Sequence, residues 1–140
     1  GEEHPDPQEH AAVLDRLAGE GAVFSVLTNK PADMSAKILT GLDLDALCPR
    51  LIGGDTLPVR KPDPTGLHQL IAAADVAAPA TLMVGDSAID VATGTNAGVA
   101  TCAVFWGFNG AAARGAGADV EIAAPSALLS VCRHGLPRQR

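Results

Sequence analysis

Thr81-Leu82-Met83-Val84-Gly85-Asp86-Ser87-Ala88-Ile89-Asp90-Val91 passes from a short apolar run, through a Gly-Asp-Ser turn, into a segment that continues to about residue 97. Thr81 to Val84 reads as a buried strand, and residues 88–97 read as a helix that stops near Gly98. The same order recurs on either side. Upstream, Val23-Phe24-Ser25-Val26-Leu27 is a β-prone run ended by Thr28-Asn29-Lys30, and Pro31 then opens a helix with Met34, Ile38, Leu39 and Leu42 on one side. Leu51-Ile52 precedes a turn-forming loop, Gly53-Gly54-Asp55-Thr56-Leu57-Pro58. Asp63 and Pro64 then start an amphipathic helix through Leu67, Leu70, Ile71 and Ala74. Val99 to Phe105 is a further strand. A first helix from Pro7 toward Gly21 precedes all of these; an Ala-rich stretch at 110–115, a strand at 119–122 and a helix after Pro125 follow them. Strands alternating with helices predict an α/β domain with a mainly parallel sheet, because parallel neighbours need crossover connections.

The length of 140 residues suits one domain, expected to span 1–140 with frayed ends at 1–8 and 133–140. Apolar residues make up 47% and charged residues 19%, the balance of a chain that buries a core. A net charge of -6 with 3% aromatic residues lacks the basic, ring-lined face that nucleic acid requires, so no nucleic-acid partner is expected. Gly, Pro, Asp or Lys interrupts every apolar stretch before a membrane span is reached, so no membrane association is expected. The acidic, proline-bearing start differs from a secretory leader, and Cys48, Cys102 and Cys132 are odd in number and far apart. A reducing cytoplasm is the expected compartment.

Ligands of open parallel sheets collect beyond the carboxyl ends of the strands. Asp86 follows one strand and Asp90 lies four residues on, so both can face one point and offer hard oxygen ligands to Mg2+. Ser87-x-x-Asp90 also fits a capping box that merely closes a helix. Thr28 and Asn29 offer a hydroxyl and backbone N–H groups at a strand-to-helix turn, which suits a phosphoryl group; an ordinary helix cap is the alternative. Lys61, between Arg60 and Pro62, is either a fixed cation or a plain surface lysine. Donors, a cation and paired carboxylates are together what phosphoryl transfer uses. The four histidines show no metal-ligand spacing.

Three stretches, Val26 to Pro31, Gly53 to Pro64 and Val84 to Val91, resemble the second, third and fourth motifs of haloacid dehalogenase-like phosphatases. The approach Gly-Gly-Asp-Thr-Leu-Pro to Lys61-Pro62-Asp63-Pro64, with Trp106-Gly107-Phe108-Asn109, is most similar to the phosphoglycolate phosphatase branch. The resemblance covers about residues 5 to 130. It implies a Rossmann-like three-layer core in which Thr28 and Asn29 bind the transferring phosphoryl group and Lys61 balances its charge. Asp86 would ligate magnesium, Asp90 would act on the same ion through water, and Ser87 would order the loop. The substrate implied is a small phosphorylated metabolite, hydrolysed through an aspartyl-phosphate.

One departure matters. Members of the family begin with an apolar strand ending in Asp-x-Asp-Gly-Thr, the source of the nucleophile and the general acid/base, and carry a helical cap after it; neither is found here. The chain is therefore expected to be a truncated core, inactive alone, or a non-catalytic module that keeps the phosphate and magnesium pocket. Asp43-Leu44-Asp45 lacks the Gly-Thr and follows a helix, so it is not expected to substitute. The strand lost would lie between those ending at Thr28 and Val84. Its loss would expose two apolar edges open to self-association.

Overall fold

The computed structural model describes residues 7–106 and 113–134. Helix α1 spans Pro7–Gly19, strand β1 Ser25–Leu27, helix α2 Ala32–Gly41, strand β2 Arg50–Ile52 and helix α3 Thr65–Ala74. A 3-10 turn at Ala78–Ala80 leads into β3 (Leu82–Gly85), α4 (Ala88–Ala97), β4 (Ala100–Val104), β5 (Val120–Ile122) and α5 (Ala127–Arg133). The fold is α/β, as the alternation predicts.

Every strand pairing among the described residues is parallel. Val26 lies opposite Leu51, Met83 opposite Thr101, and Ala103 opposite Glu121. These pairings form two sheets, β1-β2 and β3-β4-β5, with no ladder between β1 and β3 among the described residues. Burial follows the pairing. A parallel strand with neighbours on both edges is covered all round, and β4 is buried at each of its residues. In contrast, β3 has one neighbour and leaves Val84 40% exposed. The strand expected from Val23 begins only at Ser25, and Val23 is 55% exposed. The β1–β2 ladder starts at Ser25 opposite Arg50, and among the described residues no other ladder reaches Val23-Phe24.

Local chemistry sets the helix ends that matter for the site. The Ser87 hydroxyl accepts the Asp90 N–H at the start of α4, and Gly98, at φ 76°, ends that helix in the left-handed region that favours glycine. At α3, Asp63 Oδ1 accepts the Thr65 N–H at 2.9 Å. Met34 and Ile38 on α2 share a face with Leu42 at its C-cap, yet each is about half exposed, and the buried residue of that helix is Ser35. The periodicity is present; the described residues place no cover over it.

Leu67, Met83 and Val99 form one part of the core with Leu27, Ile71, Ala78 and Ala97 around them. Cys102, Val104 and Ile122 form another with Leu128, Val131 and Trp106. Buried Thr101 is satisfied by Asp119: its N–H and hydroxyl donate to Asp119 Oδ2 at 2.9 and 3.2 Å, and its Oγ1 accepts the Asp119 N–H at 3.0 Å. This locks the starts of β4 and β5 together.

Arg133 ties the end of the chain's last described helix to the region after α1. That residue closes α5, and its guanidinium donates twice to Glu20, at 2.8 and 3.1 Å, joining α5 to the end of α1. Gly107-Phe108-Asn109, most of the Ala-rich stretch, and residues 1–6 and 135–140 lie outside the described residues.

Candidate active site

Thr28 and Asn29 follow β1, Asp86 and Ser87 follow β3, and Lys61 stands in the loop before α3. Hydrogen bonds bring these segments to one mouth. The Asn29 side chain clamps the Lys61 backbone from both sides: Nδ2 donates to the Lys61 carbonyl at 3.1 Å, and Oδ1 accepts the Lys61 N–H at 3.0 Å. Beyond Lys61, Asn96 on α4 donates through Nδ2 to the Pro62 carbonyl at 3.0 Å. A loop that could wander is thereby held at consecutive residues.

The result of that clamp is the position of the lysine head. Lys61 Nζ donates to Asp90 Oδ1 at 2.5 Å, and the two side chains are only 12% and 10% exposed. Lys61 is thus a fixed cation and no free surface lysine. The other oxygen of Asp90, Oδ2, accepts the Asp86 N–H at 3.1 Å and the Ser87 hydroxyl at 3.0 Å. The capping reading of Ser87 and Asp90 is therefore correct as far as it goes, and Asp90 does more: one carboxylate closes a helix and anchors a cation. The Asp86 carboxylate, half-buried, accepts no hydrogen bond among the described residues.

Neither Thr28 nor Asn29 caps α2, whose N-cap residue is Pro31 without a side-chain bond. Instead Asp55 Oδ1 reaches across to accept the Ala32 N–H at 2.8 Å. That satisfies one of the backbone donors left open at the start of α2. Thr28 Oγ1 accepts the Lys30 N–H at 3.1 Å, which leaves the hydroxyl proton free to donate outward. The loop carrying Asp55 is held close by the Gly54 N–H, which donates to the Lys30 carbonyl at 2.7 Å, and by Arg60 Nε, which donates to the Gly54 carbonyl at 3.0 Å.

Asp55, Arg60 and Asn96 were not singled out from the sequence. Asp55 stands in a conspicuous Gly-Gly-Asp turn and could have been suspected, whereas nothing local to Asn96 points to Pro62. Asp43 and Asp45 follow the far end of α2, a helix of ten residues and so about 15 Å from the mouth, and both are exposed. His68 Nε2 lies 3.3 Å from the Ala97 carbonyl, and the His10 ring packs 5.5 Å from that of Trp106.

The donor set fits magnesium on its chemistry. This ion takes one or two carboxylates and completes its shell with water and substrate phosphate. The Asp86 carboxylate is available as such a ligand, whereas both oxygens of Asp90 are already engaged by Lys61, Ser87 and the Asp86 N–H. Among the described residues no group of three or more His, Cys, Asp or Glu side chains gathers into an all-protein cage. The recess among Leu27, Thr28, Gly53 and Lys61 measures about 10 Å³, close to the room one water needs.

Residues 3–104 match the family model described as haloacid dehalogenase-like hydrolase, and the chain belongs to that family. It is 41% identical over 112 residues to a phosphoglycolate phosphatase of Rhodospirillum rubrum, covering 75% of this chain and 46% of that one. It is 39% identical over 93 residues to a phosphoglycolate phosphatase of Colwellia psychrerythraea, covering 66% of this chain and 41% of the other. The chain thus spans a little under half the length of these relatives. Its fold superimposes with a TM-score of 0.79 on the crystal structure of a predicted phosphoglycolate phosphatase from Haemophilus somnus, at 28% identity, covering 86% of this chain and 54% of that one. A hydrolase of the same superfamily, subfamily IA, from Geobacter sulfurreducens gives 0.75 at 21% identity, covering 89% and 55%, a likeness of fold alone.

Proposed function

We propose that these residues supply the phosphate- and metal-binding half of a magnesium-dependent phosphomonoester hydrolase of the phosphoglycolate phosphatase type. The observation that carries the reading is the single mouth at which Lys61 is fixed between Asn29 and Asp90, while the Asp86 N–H joins the same Asp90 carboxylate and the Asp86 carboxylate accepts no hydrogen bond among the described residues. Phosphoryl transfer is catalysed mostly by placement of charge, and these residues place both signs of it. In this reading the Thr28 hydroxyl and the backbone N–H of Asn29 receive the phosphoryl oxygens, because the Asn29 side chain is already spent on Lys61. The Lys61 ammonium offsets the negative charge that gathers at the reacting phosphorus. Asp86 would hold magnesium directly and Asp90 through water; the ion supplies Lewis-acid stabilisation of the phosphoryl oxygens.

By the family resemblance, the nucleophile is an aspartate carried on a segment outside these residues, giving an aspartyl-phosphate that water then hydrolyses. The substrate class is a small phosphorylated metabolite, 2-phosphoglycolate first among the candidates, and the setting is the cytoplasm. No helix of the described residues is long and apolar enough to cross a membrane.

A second reading, a phosphate- and magnesium-binding module without catalysis, is favoured by the remoteness of Asp43 and Asp45, the sequence's only spaced aspartate pair outside the mouth. Hydrolysis of 2-phosphoglycolate and of an aryl phosphate with magnesium separates the two. The chain is compared alone and joined to a family-like N-terminal segment. Activity only in the joined form, abolished by Asp86→Asn, supports the hydrolase. A folded but inactive joined form supports the module.

A further inference from the structure

Two cations follow one another at the mouth, and they are held differently. Lys61 is half-buried and its ammonium is met by the Asp90 carboxylate. Arg60 is exposed, and its guanidinium meets a neutral acceptor: Nε donates to the Gly54 carbonyl at 3.0 Å. Among the described residues no carboxylate forms an ion pair with Arg60, and its two Nη groups make no hydrogen bond. The side chain is nevertheless fixed at both ends. The Arg60 carbonyl accepts the Asp63 N–H at 2.9 Å, and the next residue along is clamped by Asn29. At the far end, the Nε bond ties the guanidinium to a loop whose Gly54 N–H is itself held by the Lys30 carbonyl.

A residue needed only to close this loop would require one donor. Arginine has five N–H groups, so the Gly54 bond leaves four of them, all on the Nη pair, together with an unbalanced positive charge. That pair is a planar fork, which accepts the two oxygens of a carboxylate through parallel bonds. Arg60 also lines the small recess shared by Thr28, Asn29 and Lys61, so one small ligand can touch all of them.

We infer that Arg60 is a specificity-determining residue: its Nη pair takes a carboxylate of the substrate, selecting phosphomonoesters that carry a carboxylate close to the ester oxygen over those whose ester group is uncharged. The inference rests on the proposed function, because that reading puts the phosphoryl group at Thr28 and Asn29. Lys61, whose charge Asp90 already meets, is not free to serve the second anion as well. Lys30 is exposed beside the mouth, but an ammonium on a flexible stem is a point charge without the fork.

Calorimetric titration of the full chain in magnesium tests this with two ligands, 2-phosphoglycolate and ethyl phosphate, the same ester with a methyl group in place of the carboxylate. The intact chain should bind 2-phosphoglycolate about tenfold more tightly, the worth of one charge-assisted pair. Arg60→Gln keeps an amide that can donate to Gly54 but loses the charge and the fork, and should bring the ratio of affinities close to one. Arg60→Lys keeps the charge and should recover part of the ratio. Lys30→Gln should leave the ratio as in the intact chain.

A ratio near one in the intact chain, or one that survives Arg60→Gln, overturns the inference and leaves the proposed function standing. Equal losses for both ligands in Arg60→Gln would overturn it too, by reducing Arg60 to a tie for the loop. A ratio lost equally in Lys30→Gln would do so by making the preference one of general charge. If neither ester binds the intact chain, the proposed function fails and this inference with it.

Discussion

Lys61 Nζ meets Asp90 Oδ1 at 2.5 Å across 29 residues of sequence, and each side chain is about nine-tenths shielded from solvent. A shielded pair is costly to break because the partner left behind stays charged and unhydrated. Lys61→Met should therefore destabilise the chain by about 3 kcal/mol in urea unfolding. Asp90→Asn should cost a similar amount, and the double variant should fall short of the sum by about 1 kcal/mol or more. Additive losses would mean that the two charges do not sense one another.

The loop at Gly53-Gly54 tests whether the mouth depends on close backbone approach. A methyl group at Gly54 would overlap the Asn29 carbonyl, a backbone atom that cannot swing aside. Gly54→Ala should destabilise by about 1–3 kcal/mol and displace Asn29 from Lys61. Gly19→Ala is the control, since nothing lies within 4 Å of the added carbon and the position ends α1. Thermal unfolding of the two variants should differ clearly.

Much of this was readable from short windows of sequence. Ser87 before Asp90 and Gly98 after the helix marked both ends of α4, because capping is a contact between residues a few positions apart. Thr28 and Asp86 follow strands, Asp90 lies one helical turn beyond Asp86, and Lys61 follows the Gly-Gly-Asp loop, positions that local sequence also marks. What escaped was set by distant partners. The Asn29 side chain answers to Lys61, 32 residues away, and the Ala32 N–H to Asp55, 23 residues away. The late start of β1 and the solvent-facing Met34, Ile38 and Leu42 also depend on which neighbours are present, which no periodicity reports.

Asp86 and Ser87 are adjacent yet should separate cleanly in their effects. Under the proposed function, magnesium raises the melting temperature of the chain by binding the folded state, and Asp86→Asn removes that rise. Ser87→Ala deletes a cap and a hydrogen bond to Asp90, at about 1 kcal/mol, and lowers the melting temperature with and without magnesium while keeping part of the increment. Differential scanning fluorimetry across magnesium concentrations reads both. An undiminished increment in Asp86→Asn would remove that residue from the metal site.

Cys102 provides a pH test of the core independent of any ligand. Its side chain is buried on β4, and burial, with a smaller contribution from Cys132, raises its thiol from the ordinary 9.0 to about 11. Because the folded state holds this proton more tightly than the unfolded chain, the contribution to stability is complete below about pH 9. It is lost as pH rises through about 11, where the folded thiol ionises too. Urea unfolding should therefore show stability falling between these values, and the fall should be shallower in Cys102→Ala, measured against that variant's own value at neutral pH. Thiol reagents should follow the same logic at pH 8: exposed Cys132 reacts first, and Cys102 only as the chain unfolds. Equal rates for the two thiols in the folded chain would mean that β4 is open to solvent, contrary to its burial at every residue.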